Sequence, residues 1–222
     1  MYVVLCAVLA LAGCANAQGI SEVDLSMPPH GELSLEFDAG SEDAAQDAAP
    51  AIPAPDLVGD CLSQVRVNEL QTGGSGSSAD EWVELYNPCV GSANLTGAKL
   101  VFRTASALTD SLLVTLSGDI PAGGYFLVAN TGYTAAAMPD IKPFAATVNL
   151  APVGGAVGLR DAQGGLVDSV GWGNANNTLV EVSAAAAPAV GHSIARTPNG
   201  FDANNNGMDF QERSTPSPKA AN

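Results

Sequence analysis

Few residues between Cys61 and Asn222 have the types and spacing for chemistry. A serine hydrolase needs a nucleophile, a base and an orienting acid. This stretch has one histidine, His192, in Gly191-His192-Ser193, and no G-x-S-x-G elbow. A lone histidine opening a strand reads as a surface residue or a satisfied one. Asp80, Glu81 and Glu84 gather around Trp82, and paired carboxylates can hydrolyse glycosides. Strand alternation gives them another role. Trp82, Glu84 and Tyr86 share one face, and Glu81, Val83 and Leu85 share the other. Arg66, Arg103, Arg160 and Arg196 are available as partners. Gly73-Gly74-Ser75-Gly76 lacks the lysine and following helix of a phosphate cradle. Asp161 and Asp168 flank an expected hairpin and suit turn chemistry.

One segment has the pattern of a metal loop. Asp202, Asn204 and Asn206 alternate and are followed by Gly207 and Asp209. Short oxygen ligands and a sharp glycine turn form the first half of an EF-hand loop. The second half departs from it: Arg213 stands where the bidentate glutamate belongs, and Glu212 is one residue early. Asp202, Asn204, Asn206 and Asp209 are therefore the candidate Ca²⁺ ligands, with a weak affinity on the order of 10⁻⁴–10⁻³ M. The alternative is an Asx-rich turn whose side chains bond their own backbone. No other cofactor is expected.

The N-terminus reads as an export signal. Val3 to Leu11 is an apolar run of about nine residues, where a membrane-spanning helix needs roughly 20. It ends in Leu11-Ala12-Gly13-Cys14, which resembles the lipobox of bacterial lipoproteins. That resemblance implies lipid on Cys14 and cleavage before it, with residues 1–13 as the signal peptide. No lysine or arginine precedes the apolar run, a departure from the usual pattern. Ala15-Asn16-Ala17 is a rival site that would release a soluble secreted protein. Either cleavage leaves Cys61 and Cys89 as the thiol pair of the folded part. An even pair in an oxidising compartment reads as a disulfide; two buried free thiols are the alternative.

Residues 14–60 read as a tether. Gly19 to Asp60 holds ten acidic residues and no lysine or arginine, with alanine and proline filling much of the rest. Such a stretch buries too little apolar surface to offset its chain entropy. The whole chain has a formal net charge of −15. Residues 61–222 hold all eight basic residues against 13 acidic ones, a net of −5. A phosphate backbone would be repelled, so nucleic acid is excluded as a partner.

The elements that must position these groups are strands. Nine are expected: Gln64–Leu70, Trp82–Tyr86, Ala98–Phe102, Leu112–Leu116, Tyr125–Ala129, Thr147–Leu150, Ala156–Arg160, Leu166–Trp172 and Ser193–Ala195. Glycine- and proline-rich turns separate many of them. Val182–Ala187 is alanine-rich, but Pro188 and Gly191 mark it as a loop. Eight or nine short strands at this spacing indicate an all-β sandwich over residues 61–222.

Asn68-Glu69 is followed by Glu81-Trp82-Val83-Glu84-Leu85-Tyr86-Asn87 and Leu95-Thr96-Gly97. Pro121-Ala122-Gly123-Gly124-Tyr125-Phe126-Leu127-Val128, Gly158-Leu159-Arg160-Asp161 and Val167-Asp168-Ser169-Val170 continue the pattern. Arg196-Thr197-Pro198-Asn199-Gly200, Asp209-Phe210 and Thr215-Pro216 to Ala220-Ala221-Asn222 close it, and this order of motifs resembles the lamin tail domain family. Two positions depart from it: Ala98 stands where an aromatic residue is usual, and Pro218-Lys219 replaces the usual Pro-Gly. The resemblance implies an immunoglobulin-like β-sandwich that positions or adheres rather than catalyses, and a structural Glu81-Trp82-Val83-Glu84 run whose carboxylates cap loop amides or pair with arginine. The expectation is a non-enzymatic lipoprotein of the bacterial cell envelope, on the outer membrane in a diderm cell. Its partner would be an envelope protein, a polysaccharide or an exported hydrolase, with the membrane met through the lipid alone. The rival reading is an exported hydrolase, or a hydrolase accessory, with an unrecognised carboxylate site.

Overall fold

The computed structural model describes residues 60–144 and 148–222. The expected signal peptide, Cys14 and the expected tether up to residue 59 lie outside the described residues. The chain runs through a 3-10 turn (Cys61–Gln64), β1 (Arg66–Thr72), β2 (Glu81–Tyr86), β3 (Ala93–Asn94), β4 (Lys99–Thr104), β5 (Ser111–Thr115) and β6 (Asp119–Ile120). Then come β7 (Tyr125–Ala129), β8 (Gly154–Arg160), β9 (Leu166–Gly173), β10 (Ser193–Arg196), α1 (Asn206–Asp209) and β11 (Phe210–Arg213). One sheet has the order β11-β10-β1-β2-β7, the other β5-β4-β8-β9, and β3 and β6 form a small third. All the strand pairs are antiparallel. This is an immunoglobulin-like β-sandwich.

Alternation, shifted in β1 by a bulge between Val67 and Glu69, explains the layers. Val67, Leu70, Val83, Leu85 and Val128 face inward from the larger sheet. Leu100, Phe102, Val157, Leu159, Val170 and Trp172 meet them from the smaller. Burying one such large side chain contributes about 1.5–3 kcal/mol. Trp172 is fully buried, and its indole N–H donates to the carbonyl of Ala151 at 2.9 Å. Phe102 lies so close to Gly155 that a Cβ there would sit 2.6 Å from its ring. Ala98 is buried within the same core. Trp82 points to the outer face and packs with Leu127, Ala129 and Tyr133.

Eight of the nine expected strands form. The ninth does not: Leu150 is buried, but its amide donates to the Glu81 carboxylate instead of a ladder. Thr147, the start of that expected strand, lies outside the described residues. Pairing adds β3, β6 and β11, which show no clear alternation of their own. Cys61 and Cys89 form a disulfide with their Cα atoms 5.7 Å apart. Arg66 pairs with Tyr86, so β1 starts where β2 ends and the bridge closes that end of the hairpin.

Candidate functional site

Among the described residues, three places are candidate sites. The first lies inside one end of the sandwich. Ile194 and Arg196 share the inward face of β10, and Arg196 is fully buried. Its Nε donates to the carbonyl of Val67 at 2.9 Å. Nη1 reaches the carbonyl of Phe201 at 2.7 Å, Asp202 at 3.2 Å and Asp209 at 3.2 Å. Nη2 reaches Asp168 of β9 at 3.1 Å, and Glu181 stands 4.0 Å away. The Phe210 ring packs against the guanidinium at 4.7 Å. Asp168 also accepts from the Val67 amide at 2.6 Å, so one carboxylate ties β9 to both β1 and β10. Burial raises the Asp168 pKa to about 6 despite Arg196, and burial with neighbouring carboxylates raises Glu181 to about 7.

The four expected calcium ligands do not form one cage here. Asp202 and Asp209 turn to Arg196. Asp202 also holds Arg66 at 2.9 Å and the amide of Asn204, while Asp209 caps the amides of Ala203 and Asn205. Asn206 turns inward, accepting from the amides of Gly171 and Glu181 and donating to the carbonyl of Ser169. Asx-turn bonds dominate the loop. Oxygens of Asp168, Glu181 and Asp202 lie within 4.8 Å of one another, but the cation they share is Arg196. Asp168 is not a turn residue as expected; Asp161 is, accepting from the amide of Gly165 at 2.7 Å.

The second place is on the outer face of the larger sheet. Glu69 and Glu84 are directly paired across β1 and β2, and both are fully buried. The C-terminal segment covers them. Glu69 accepts from Ser193 Oγ and from the amide and hydroxyl of Ser217. Glu84 accepts from Asn68 Nδ2 at 3.0 Å and from the amide of Lys219. Lys219 holds φ +61°, the left-handed backbone that glycine adopts most readily. Burial raises the Glu84 pKa to about 8, with the Glu69 charge adding to the rise. Burial raises Glu69 as well. Of the two roles open to these carboxylates, capping loop amides is the one observed, and the arginines pair with aspartates.

The third place is a groove at the opposite end from the disulfide. One part, about 330 Å³, lies between loop 73–78 and Pro152, Pro188 and Val190. The adjoining part, about 260 Å³, has Glu81 in its wall. Glu81 is buried and accepts from Asn130 at 2.7 Å and the Leu150 amide at 2.8 Å, and burial raises its pKa to about 7. Asp80 stays beside it, holding Thr134. His192 is on the surface, 3.0 Å from Glu212.

The Lamin Tail Domain family model matches residues 62–174. The chain belongs to the lamin tail domain family. No curated protein matches it. The matched stretch ends after β9, yet β10 of this lamin tail domain hydrogen-bonds to β1 and carries Arg196 into the core. The sequence pattern put Arg196 in the closing motif and among possible partners of the Glu81 and Glu84 run, but not in the core. Its inward position could have been read from Ile194, two residues away on the same face.

Proposed function

We propose that this lamin tail domain is a non-catalytic module, lipid-anchored through Cys14 to the bacterial envelope, that presents its sandwich to a partner. The partner class is an envelope protein, a polysaccharide or an exported hydrolase. One observation carries the reading: Glu69, Glu84, Asp168 and Asp209 are fully or almost fully buried and spend their oxygens on structural donors. A catalytic carboxylate must instead meet substrate. The net charge of −5 on residues 61–222 supports a partner other than nucleic acid. Outer-membrane placement in a diderm cell, or secretion after Ala17, depends on which cleavage occurs.

The hydrolase reading keeps one specific observation, Glu81 in the groove wall with a pKa near 7. A panel of nucleic-acid, phosphoester and glycan substrates separates the two. No turnover is expected. Turnover that survives purification and disappears in Glu81→Gln would overturn the non-catalytic reading. Detergent partitioning of the wild type against Cys14→Ser tests the anchor, and equal aqueous partitioning would remove it.

A further inference from the structure

Segment 214–222 covers part of the outer face of the larger sheet, and its anchors are mostly polar. Its sequence, Ser214-Thr215-Pro216-Ser217-Pro218-Lys219-Ala220-Ala221-Asn222, has no large aliphatic or aromatic side chain to bury. Asn222 donates its amide to Asn199 Oδ1 at 3.0 Å and its Nδ2 to the Arg196 carbonyl at 3.1 Å. Lys219 Nζ reaches Asp140 at 2.7 Å, an exposed pair of small worth, and its left-handed φ adds strain. A segment anchored in this way opens locally at far less cost than the sandwich unfolds.

Beneath it, a count of hydrogens points to a bound proton. Glu69 and Glu84 are directly paired on β1 and β2 and fully buried. Neither forms a salt bridge among the described residues. Ser217 Oγ lies 3.2 Å from Glu69 Oε2 and 2.9 Å from Asn222 Oδ1, but a hydroxyl has one hydrogen. Asn222 Nδ2 donates to Arg196, so Asn222 Oδ1 is an acceptor and takes that hydrogen. Both contacts are made at once only when the Glu69 carboxyl carries a hydrogen and donates it to Ser217 Oγ. Glu84 differs, because its oxygens face the N–H groups of Asn68 and Lys219. The other charged or titratable groups facing the pair are Arg213 on β11, Lys219, Tyr86 on β2, Tyr125 on β7, and Tyr133 and Asp140 from the segment after β7.

We propose that segment 217–222 is a proton-operated latch, closed over the Glu69–Glu84 pair while the pair holds a proton and lifted when both carboxylates are ionised. Ionisation breaks the chain from Glu69 through Ser217 to Asn222, because the single Ser217 hydrogen must then choose one acceptor. It also sets two buried like charges side by side without an ion-paired cation. Opening the segment gives both carboxylates water. Burial raises the pKa of both, Glu84 to about 8, so the latch works in mildly alkaline medium. Lifting it uncovers Glu69, Glu84 and Asn68, so the sheet face offered to a partner changes with pH.

Amide hydrogen exchange of the full chain, followed by NMR and corrected for the intrinsic rate, tests this from about pH 6 to about pH 9. The Ser217, Lys219 and Asn222 amides report on the latch, and the Val83 amide in β2 reports on the sandwich. The expected result is a loss of protection at the three reporters about tenfold or more beyond any loss at Val83. Glu69→Gln sets an N–H donor against Ser217 Oγ where the acid sets its O–H, and is expected to keep the reporters protected at about pH 9. Glu84→Gln removes the second charge and is expected to lose most of the step. Reporters that keep pace with Val83 in the wild type would overturn the proposal. So would a step that persists in both variants, because another group would then drive it.

Discussion

Arg196→Met is the sharpest test of how the sandwich end is held. The substitution keeps an unbranched apolar stem but removes every guanidinium donor. Asp168 and Asp209 then stay buried without their cation, and the carbonyls of Val67 and Phe201 lose their donor. Breaking a buried ion pair from one side costs about 3–5 kcal/mol. At about 2–4 °C per kcal/mol for a domain of this size, the melting temperature falls by about 6–20 °C. Arg196→Lys keeps the charge but cannot span Val67, Phe201 and three aspartates, so it falls between wild type and Met. The measurement is reversible denaturant unfolding with the disulfide intact. A second arm tests the cause: Asp168→Asn and Asp209→Asn added to Arg196→Met neutralise the stranded charges and recover at least a third of the loss. A loss below about 1 kcal/mol for Arg196→Met would refute the reasoning. So would a triple variant less stable than the single one, since the cost would then come from packing rather than charge.

The pH dependence follows from Glu84, raised to about 8, and from Glu81 and Glu181, raised to about 7. A carboxyl with a raised folded pKa favours folding below its unfolded value, and that contribution is lost as pH rises through the folded value. Thermal melts should therefore drop from pH 5 to pH 8, and Glu84→Gln, which mimics the protonated acid, should flatten the slope. Cys61→Ser with Cys89→Ser is expected to cost about 3–4 kcal/mol, from the loop of separation 28, and denaturant unfolding measures it. Lys219→Gly relieves the φ of +61°, a gain of about 1 kcal/mol, against an exposed Lys219–Asp140 pair worth less than that. Lys219→Ala loses the pair and keeps the strain, so Gly should melt above Ala. Calcium at about 1 mM should leave the melting temperature unchanged, because Arg196 already occupies the carboxylates of Asp202 and Asp209; a rise abolished by Asp202→Ala would show otherwise.

Local pattern determined most of the framework. Alternation in residues 81–86 and 125–129 set which side chains enter the core, because a strand's period of two needs no distant partner to be read, whereas in 66–72 a bulge after Val67 shifts the register and puts Leu70 rather than Glu69 in the core. The disulfide was legible from an even pair of cysteines flanking two strands. The roles of the polar residues were not. Asp168 looked like a turn residue until β9 packed beside β1 and β10, which brought Val67 and Arg196 to it across separations of 101 and 28 residues. Asp202 and Asp209 had the spacing of a calcium loop, but spacing does not show what already fills the centre, and the fold puts a guanidinium there. Glu69 and Glu84 look alike on paper to exposed strand carboxylates, and only the C-terminal segment folding back over them makes them buried caps. Segment 148–150 has strand-like residues but forms no strand, because Glu81 claims the Leu150 amide. A strand's alternation is written in the residues themselves, whereas a buried charge acquires its role from partners that only the tertiary fold supplies.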